Sequence, residues 1–206
     1  NAVSFQNADN VALGNEVGDS LTFNGGLTTT GVSGGGTVFI NGTIASSNDA
    51  IVFGAVTLGS NTVVDTNATD GDGDITVAAI TGGNNTLTLT TENNIANADI
   101  TASGAIAGVT TLTLASVGGT ATLSGDVDVT TFTVDNTVAN VAFTGNGSSV
   151  TNAFTPANDG TLTLGQNGGT QTYNGGLNTT NVGGVVTLNG TIASSNDAIV
   201  FGAVTL

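Results

Sequence analysis

Asn41-Gly42-Thr43-Ile44-Ala45-Ser46-Ser47-Asn48-Asp49-Ala50-Ile51-Val52-Phe53-Gly54-Ala55-Val56-Thr57-Leu58 recurs without a change at residues 189–206, 148 positions on. Upstream, Phe23-Asn24-Gly25-Gly26-Leu27 returns as Tyr173-Asn174-Gly175-Gly176-Leu177, 150 positions on, and two residues are lost between Val32 and Thr37. Residues 1–150 therefore read as one repeat unit and residues 151–206 as the start of the next copy, within one continuous structure. The run stops at Leu206 without the polar cap that closes a repeat stack, which predicts a window on a longer array.

Outward from that stretch, short runs of Val, Ile, Leu and Thr alternate with Gly, Asn, Asp and Ser. Such runs read as strands, near 21–23, 37–40, 51–53, 56–58, 62–65, 75–80, 86–90, 100–102, 111–114, 121–123, 127–129, 131–134, 141–143, 161–164, 185–188 and 199–206. In Thr86-Leu87-Thr88-Leu89-Thr90 and Thr131-Phe132-Thr133-Val134 every second residue is apolar, so one face meets a core and threonine meets water. No segment carries helical periodicity. Glycine pairs such as Gly25-Gly26, Gly82-Gly83 and Gly118-Gly119 fall between the runs, where corners need positive φ.

Regular turn spacing fits a parallel β-helix (a β-solenoid, all-β with no helices) or a row of tandem β-sandwich domains. Small core residues, 4% aromatics and the absence of a Pro-rich or charged linker between copies favour the solenoid. With roughly 20 residues per coil, a unit makes about seven coils and advances about 35 Å at ~4.8 Å per rung.

Composition removes whole classes of function. The chain has no Lys, Arg, His, Cys, Met or Trp, and its thirteen Asp and two Glu give a net charge of −15. Nucleic acid is excluded, because phosphate contacts need cations; anionic lipid is repelled likewise. No apolar stretch approaches the ~20 residues of a membrane helix, so membrane insertion is not expected. Trypsin-type proteases find nothing to cut, which suits an extracellular or cell-surface site. Ser46, Ser47, Ser194 and Ser195 have no His or Lys to activate them, and paired carboxylates would lack a basic partner to orient a sugar. The expectation is that the protein is not an enzyme.

Several acidic clusters remain. Asp70, Asp72 and Asp74 alternate with glycine in Asp70-Gly71-Asp72-Gly73-Asp74, a spacing that converges carboxylates on Ca2+, which takes about six to eight oxygens. Ile75 stands where an EF-hand loop needs Gly, and no Glu follows as a bidentate ligand, so a solvated turn whose Asp side chains cap backbone N–H groups competes with the metal reading. Asp126 and Asp128 form a second pair on one strand. Asp49 and Asp197 are equivalent in the two copies and read as turn residues closing a coil. No cofactor is required by any of these, Ca2+ being the one candidate. Thr-x-Thr runs at 86–90, 111–113 and 161–163 offer hydroxyl arrays of the kind that bind ice, but they are unevenly spaced along the chain.

Ser47-Asn48-Asp49-Ala50-Ile51-Val52-Phe53-Gly54-Ala55-Val56-Thr57-Leu58-Gly59-Ser60-Asn61-Thr62-Val63-Val64-Asp65-Thr66, continued by Gly73-Asp74-Ile75-Thr76-Val77 and Asn85-Thr86-Leu87-Thr88-Leu89, resembles the filamentous-haemagglutinin-like and autotransporter-passenger group of bacterial exoproteins. The resemblance implies a right-handed parallel β-helix, secretion, and a role in adhesion, sheath or fibre. The reading that follows is a structural extracellular protein of tandem units, partnered by itself end to end in a filament, sheath or surface layer. The alternative is an adhesin stalk or surface-binding module for glycan or ice, with divalent cations bridging neighbouring rods. Tyr173 is the one aromatic platform of the kind sugars stack on.

Overall fold

The computed structural model describes residues 1–69, 73–92 and 96–206, and among them there is no helix. The chain winds as a β-solenoid. It lays down three short strand segments per coil and returns to each side of the coil in the same direction, so every strand pairing is parallel. The tandem-sandwich alternative is thereby overturned, since sandwiches are built from antiparallel strands.

The first side is a ladder that rises from Val3 through Leu27, Ile51, Ile75, Ile100, Ala121, Val141, Leu162 and Val186 to Val204. The second climbs from Ala12 through Phe39, Thr57, Thr81, Ala107, Asp128, Ser149 and Thr172 to Ala193. The third begins Leu21, Ile44, Val64, Leu89, Leu114, Val134. It continues through Phe154, whose ring stacks on Phe132, to Leu177 and Ile199.

Alternation sends one set of side chains from each ladder into the bore. Ile44, Ile51, Ile100, Ile106, Leu112, Leu114, Leu123 and Phe143 are wholly buried there. Burying a side chain of this size stabilises by about 1.5–3 kcal/mol, and stacking repeats that gain at every coil. Near the upper end the bore widens enough for rings: Phe132, Phe154 and Tyr173 form a stack with centroids 4.8 and 5.6 Å apart, and Phe143 meets each edge-on.

Corners are made by residues without a Cβ, packed directly on the corner below. A Cβ on Gly125 would stand 2.1 Å from the Gly104 carbonyl oxygen, and one on Gly145 would stand 2.3 Å from the Gly125 oxygen. Only glycine lets backbone stack on backbone at this spacing.

The strands anticipated from alternation are present, often merged: 51–53, 56–58 and 62–65 lie in one strand, Ile51–Asp65, and 111–114 and 121–123 in another, Ile106–Leu123. Continuity through the corners joins them. Short rungs escaped the sequence pattern: Val3–Ser4, Val11–Leu13, Leu27–Thr28, Ser149–Val150, Thr170–Tyr173, Leu177–Asn178 and Thr191–Ala193. Two to four residues are too few to show a period. The anticipated run 199–206 is split into Ile199–Val200 and Val204–Thr205, although its identical twin 51–58 is unbroken strand. The twin is paired by coils below and above, the last coil by a coil below alone.

The two copies repeat each other's pairings. Leu27 on Ile51 corresponds to Leu177 on Ile199, Val38 on Val56 to Val186 on Val204, and Ser20 on Thr43 to Thr170 on Thr191. They do not share ladders, however. From Leu27 the first ladder climbs six coils to Leu162, and the chain then turns two more sides before it reaches Leu177 on the third ladder. One unit thus rises about 32 Å at ~4.8 Å per rung, and the next copy of any residue stands on a different side of the rod.

Candidate functional site

The outward residues carry whatever function the surface has, and a series of Asp and Asn side chains among them is engaged by the coil above. Asp74 Oδ1 accepts the Asp99 backbone N–H at 2.8 Å, and Asp99 Oδ1 accepts that of Thr120 at 2.7 Å. Asn140 does the same for Thr161, Asn61 for Thr86, Asn10 for Thr37, and Asp126 for Gly147. The side chain at the entrance to one rung caps the N–H at the entrance to the next. Each bond gives a backbone N–H a partner, and a buried or half-buried donor left unpaired is costly. Asx residues suit the position because their oxygen stands two bonds from Cβ, close enough to reach the neighbouring coil.

Of the candidate metal ligands, Asp74 belongs to this capping series, and Asp70 and Asp72 lie outside the described residues. Among the described residues no group of three or more Asp or Glu gathers in one place. Asp126 and Asp128 take separate roles. Asp126 holds the Gly147 N–H, while Asp128 is exposed and borders a shallow groove with Thr110, Thr130, Ser149 and Thr151.

Asp49 and Asp197 do sit in equivalent turns, but serine closes these turns. The Ser46 hydroxyl donates to the Asp49 carbonyl, the Ser194 hydroxyl donates to the Asp197 carbonyl at 2.6 Å, and Asn48 and Asn196 take φ of 73° and 93°. A hydroxyl is the shorter group and fits the tighter turn. Ser46 is buried and also donates to Thr66 O at 3.1 Å.

The threonine runs prove to be aligned in space. Thr86, Thr111 and Thr131 stack on one line, and Thr88, Thr113 and Thr133 on the next, making a half-buried outward grid across three coils. Unequal coil lengths are absorbed in the turns, which is why the chain spacing hid the alignment. Thr161 and Thr163 stand on a different side, in the ladder with Thr187.

Tyr173 offers no platform to a sugar. Its ring is wholly buried in the bore, and its hydroxyl donates to Gln171 Oε1 at 2.9 Å. Gln171, also buried, donates through Nε2 to Phe143 O and Gly145 O at 2.9 and 3.3 Å. Burial pushes the Tyr173 hydroxyl far above its ordinary value. Sequence reasoning missed this pair, although its position was marked: the first copy carries Leu21 and Phe23 where the second carries Gln171 and Tyr173.

The grooves between sides are shallow. A second one, lined by Phe154, Gly176, Leu177, Asp197 and Val200, lies near the upper rim. Comparison with protein-family models, with curated proteins and with solved structures returns no match for this chain.

Proposed function

We propose that the protein is a structural one, an acidic rod of tandem solenoid units that forms or extends an extracellular filament, sheath or surface layer. The observation that carries this reading is the paired geometry of the two copies. Equivalent positions make the same rung-on-rung pairings 148–151 positions apart, with no linker between them. A fold that repeats in this way adds length with each unit and no new cleft. Its surface serves the architecture: Asp and Asn cap neighbouring coils, and threonine covers the outer faces.

The unopposed charge of −15 keeps rods apart at low ionic strength. Salt screens that repulsion, and divalent cations such as Ca2+ would bridge neighbours through exposed carboxylates such as Asp128. The absence of Lys and Arg argues for a protease-rich exterior and against nucleic acid as partner. The likeness to haemagglutinin-like exoproteins points the same way. Catalysis forms no part of this reading.

Electron microscopy and oriented-fibre diffraction of concatenated units test it. Rods whose length scales with unit number, with an axial reflection near ~4.8 Å, are the expected result. Compact particles that stay the same length as units are added would overturn it.

A second reading, an ordered-water or ice-binding face, is favoured by the grid of Thr86, Thr88, Thr111, Thr113, Thr131 and Thr133. Ice recrystallisation in the presence of the protein separates the two: inhibition that is lost on Thr113→Lys supports the binding face.

A further inference from the structure

Asp128 stands inside the strand Val127–Val134, where an acid is disfavoured. Unlike Asp74, Asp99 and Asp126 it caps no N–H, and among the described residues its carboxylate has no hydrogen-bond partner. Its rung neighbours are Ala107 below and Ser149 above, so no cation answers its charge along the ladder. The side chain is exposed, and nothing in the winding of the coil calls for an acid at this place.

The groove that Asp128 borders is shaped by a bulge. The register between Ile106–Leu123 and Val127–Val134 shifts between Ala107 and Val109, and Gly108 between them takes φ of 71°. A bulge bends its strand and re-aims the neighbouring side chains. Here the second side turns into the third, and the buried Val109 and Val129 form the floor. Asn84, Thr110, Thr130, Ser149 and Thr151 complete the lining over four successive coils. The Thr110 hydroxyl donates to Asn85 O at 3.1 Å, and Ser149 Oγ accepts from Asn174 Nδ2 at 3.2 Å. The Thr130 and Thr151 hydroxyls make no hydrogen bond to the described residues.

The groove is thus rich in acceptors and carries one unpaired negative charge, in a chain of net charge −15 with no Lys or Arg to fill it. We propose that it binds a primary ammonium group, seated between the Asp128 carboxylate and the hydroxyls of Thr130, Ser149 and Thr151. An ammonium brings three N–H donors and no acceptor, the complement of this lining, and its hydrogen bond to a carboxylate is charge-assisted. The field of the whole chain raises the local concentration of cations. An anionic ligand is repelled by that field, and a neutral one gains nothing from it. Ca2+ takes about six to eight oxygens, of which one carboxylate supplies two at most. A lysyl side chain and an amino sugar present the same group, and the test separates these sources. The site lies on the outer surface of a single unit, so it stands independently of the rod-building reading.

The test follows backbone amide shifts of the full chain by nuclear magnetic resonance at low ionic strength. The probes are Nα-acetyl-lysine methylamide and glucosamine, each beside the uncharged counterpart in which its amine is acetylated. Saturable shifts at Asp128, Thr130, Ser149 and Thr151 are expected with the amines and not with the acetylated forms. The tighter of the two amines names the source. Asp128→Asn should weaken the binding at least about fivefold. Asp159→Asn removes one charge from an exposed residue on another corner and should change it far less. Both side chains are exposed, so both variants keep the fold. Equal weakening by the two substitutions overturns the proposal. So do shifts spread over every acidic corner, or equal binding of an amine and its acetylated form.

Discussion

Tyr173 and Gln171, two residues apart on one strand and both in the bore, hydrogen-bond to each other at 2.9 Å through the phenol hydroxyl and Oε1. The pair is closed by Gln171 Nε2, which donates to two carbonyls at the corner of the coil below. In the first copy the same places hold Leu21 and Phe23, so the molecule contains both a polar and an apolar solution to one packing problem. Gln171→Leu removes the partner of the Tyr173 hydroxyl and the Nε2 donor to the Gly145 carbonyl, while the Phe143 carbonyl still accepts the Gly165 N–H, and should cost about 1–3 kcal/mol in denaturant unfolding. Tyr173→Phe added to it should recover part of that loss. A double-mutant cycle measures the coupling, expected at about 0.5–3 kcal/mol; strict additivity would show that the pair does not act as a unit.

Ionisation of the same tyrosine links stability to alkaline pH. Burial raises the folded hydroxyl well above the ordinary value near ~10. Below that ordinary value both states keep the proton, and stability does not change on this account. Above it only the unfolded chain ionises, so stability falls steadily as pH rises. Tyr173 is the single tyrosine, so tyrosinate absorbance should appear together with loss of circular dichroism. Absorbance that develops near pH ~10 in the folded protein would contradict the buried placement.

Identical residues in the two copies should respond differently to the same change. Leu58→Ala removes a core side chain and should cost about 2–5 kcal/mol. Leu206→Ala removes a solvated one and should fall within about 0.5 kcal/mol of the parent. Equal costs would mean that the rim is covered in solution.

Gly125→Ala would press a methyl group onto the Gly104 carbonyl, backbone against backbone, where no side chain is free to yield. Overpacking of this kind costs about 1–3 kcal/mol or more. Gly18, with open space around it, is the matched control and should lose far less on the same substitution. Thermal unfolding of the two variants decides the matter.

Asp99→Ala should remove the cap on Thr120 and cost about 1 kcal/mol, while Asp99→Asn keeps an oxygen in place and should cost less. Exchange at the Thr120 amide is the local readout. Equal exchange in parent and alanine variant would show that the cap contributes nothing.

Much of the architecture was legible because it depends on local chemistry. Alternation in Thr86-Leu87-Thr88-Leu89-Thr90 assigned an inner and an outer face before any coil was placed, and the repeated segment announced a stack. Other features have no local signal. Val11–Leu13 and Leu177–Asn178 are too short to carry a period, and the chain spacing of Thr86, Thr111 and Thr131 says nothing of their alignment.

By itself, then, the amino-acid order determined a β-only chain with apolar residues inward, glycine corners, a duplicated unit and no cation for phosphate. These follow from side-chain period, Cβ sterics and charge, all properties of a residue and its near neighbours. Only the tertiary winding decided that Asp74 caps Asp99, that Tyr173 belongs to the bore, and that the second copy turns to another side of the rod. Those facts depend on which residues the coil length brings one above another. Coil length here varies from turn to turn, so the relation exists only once every corner has closed.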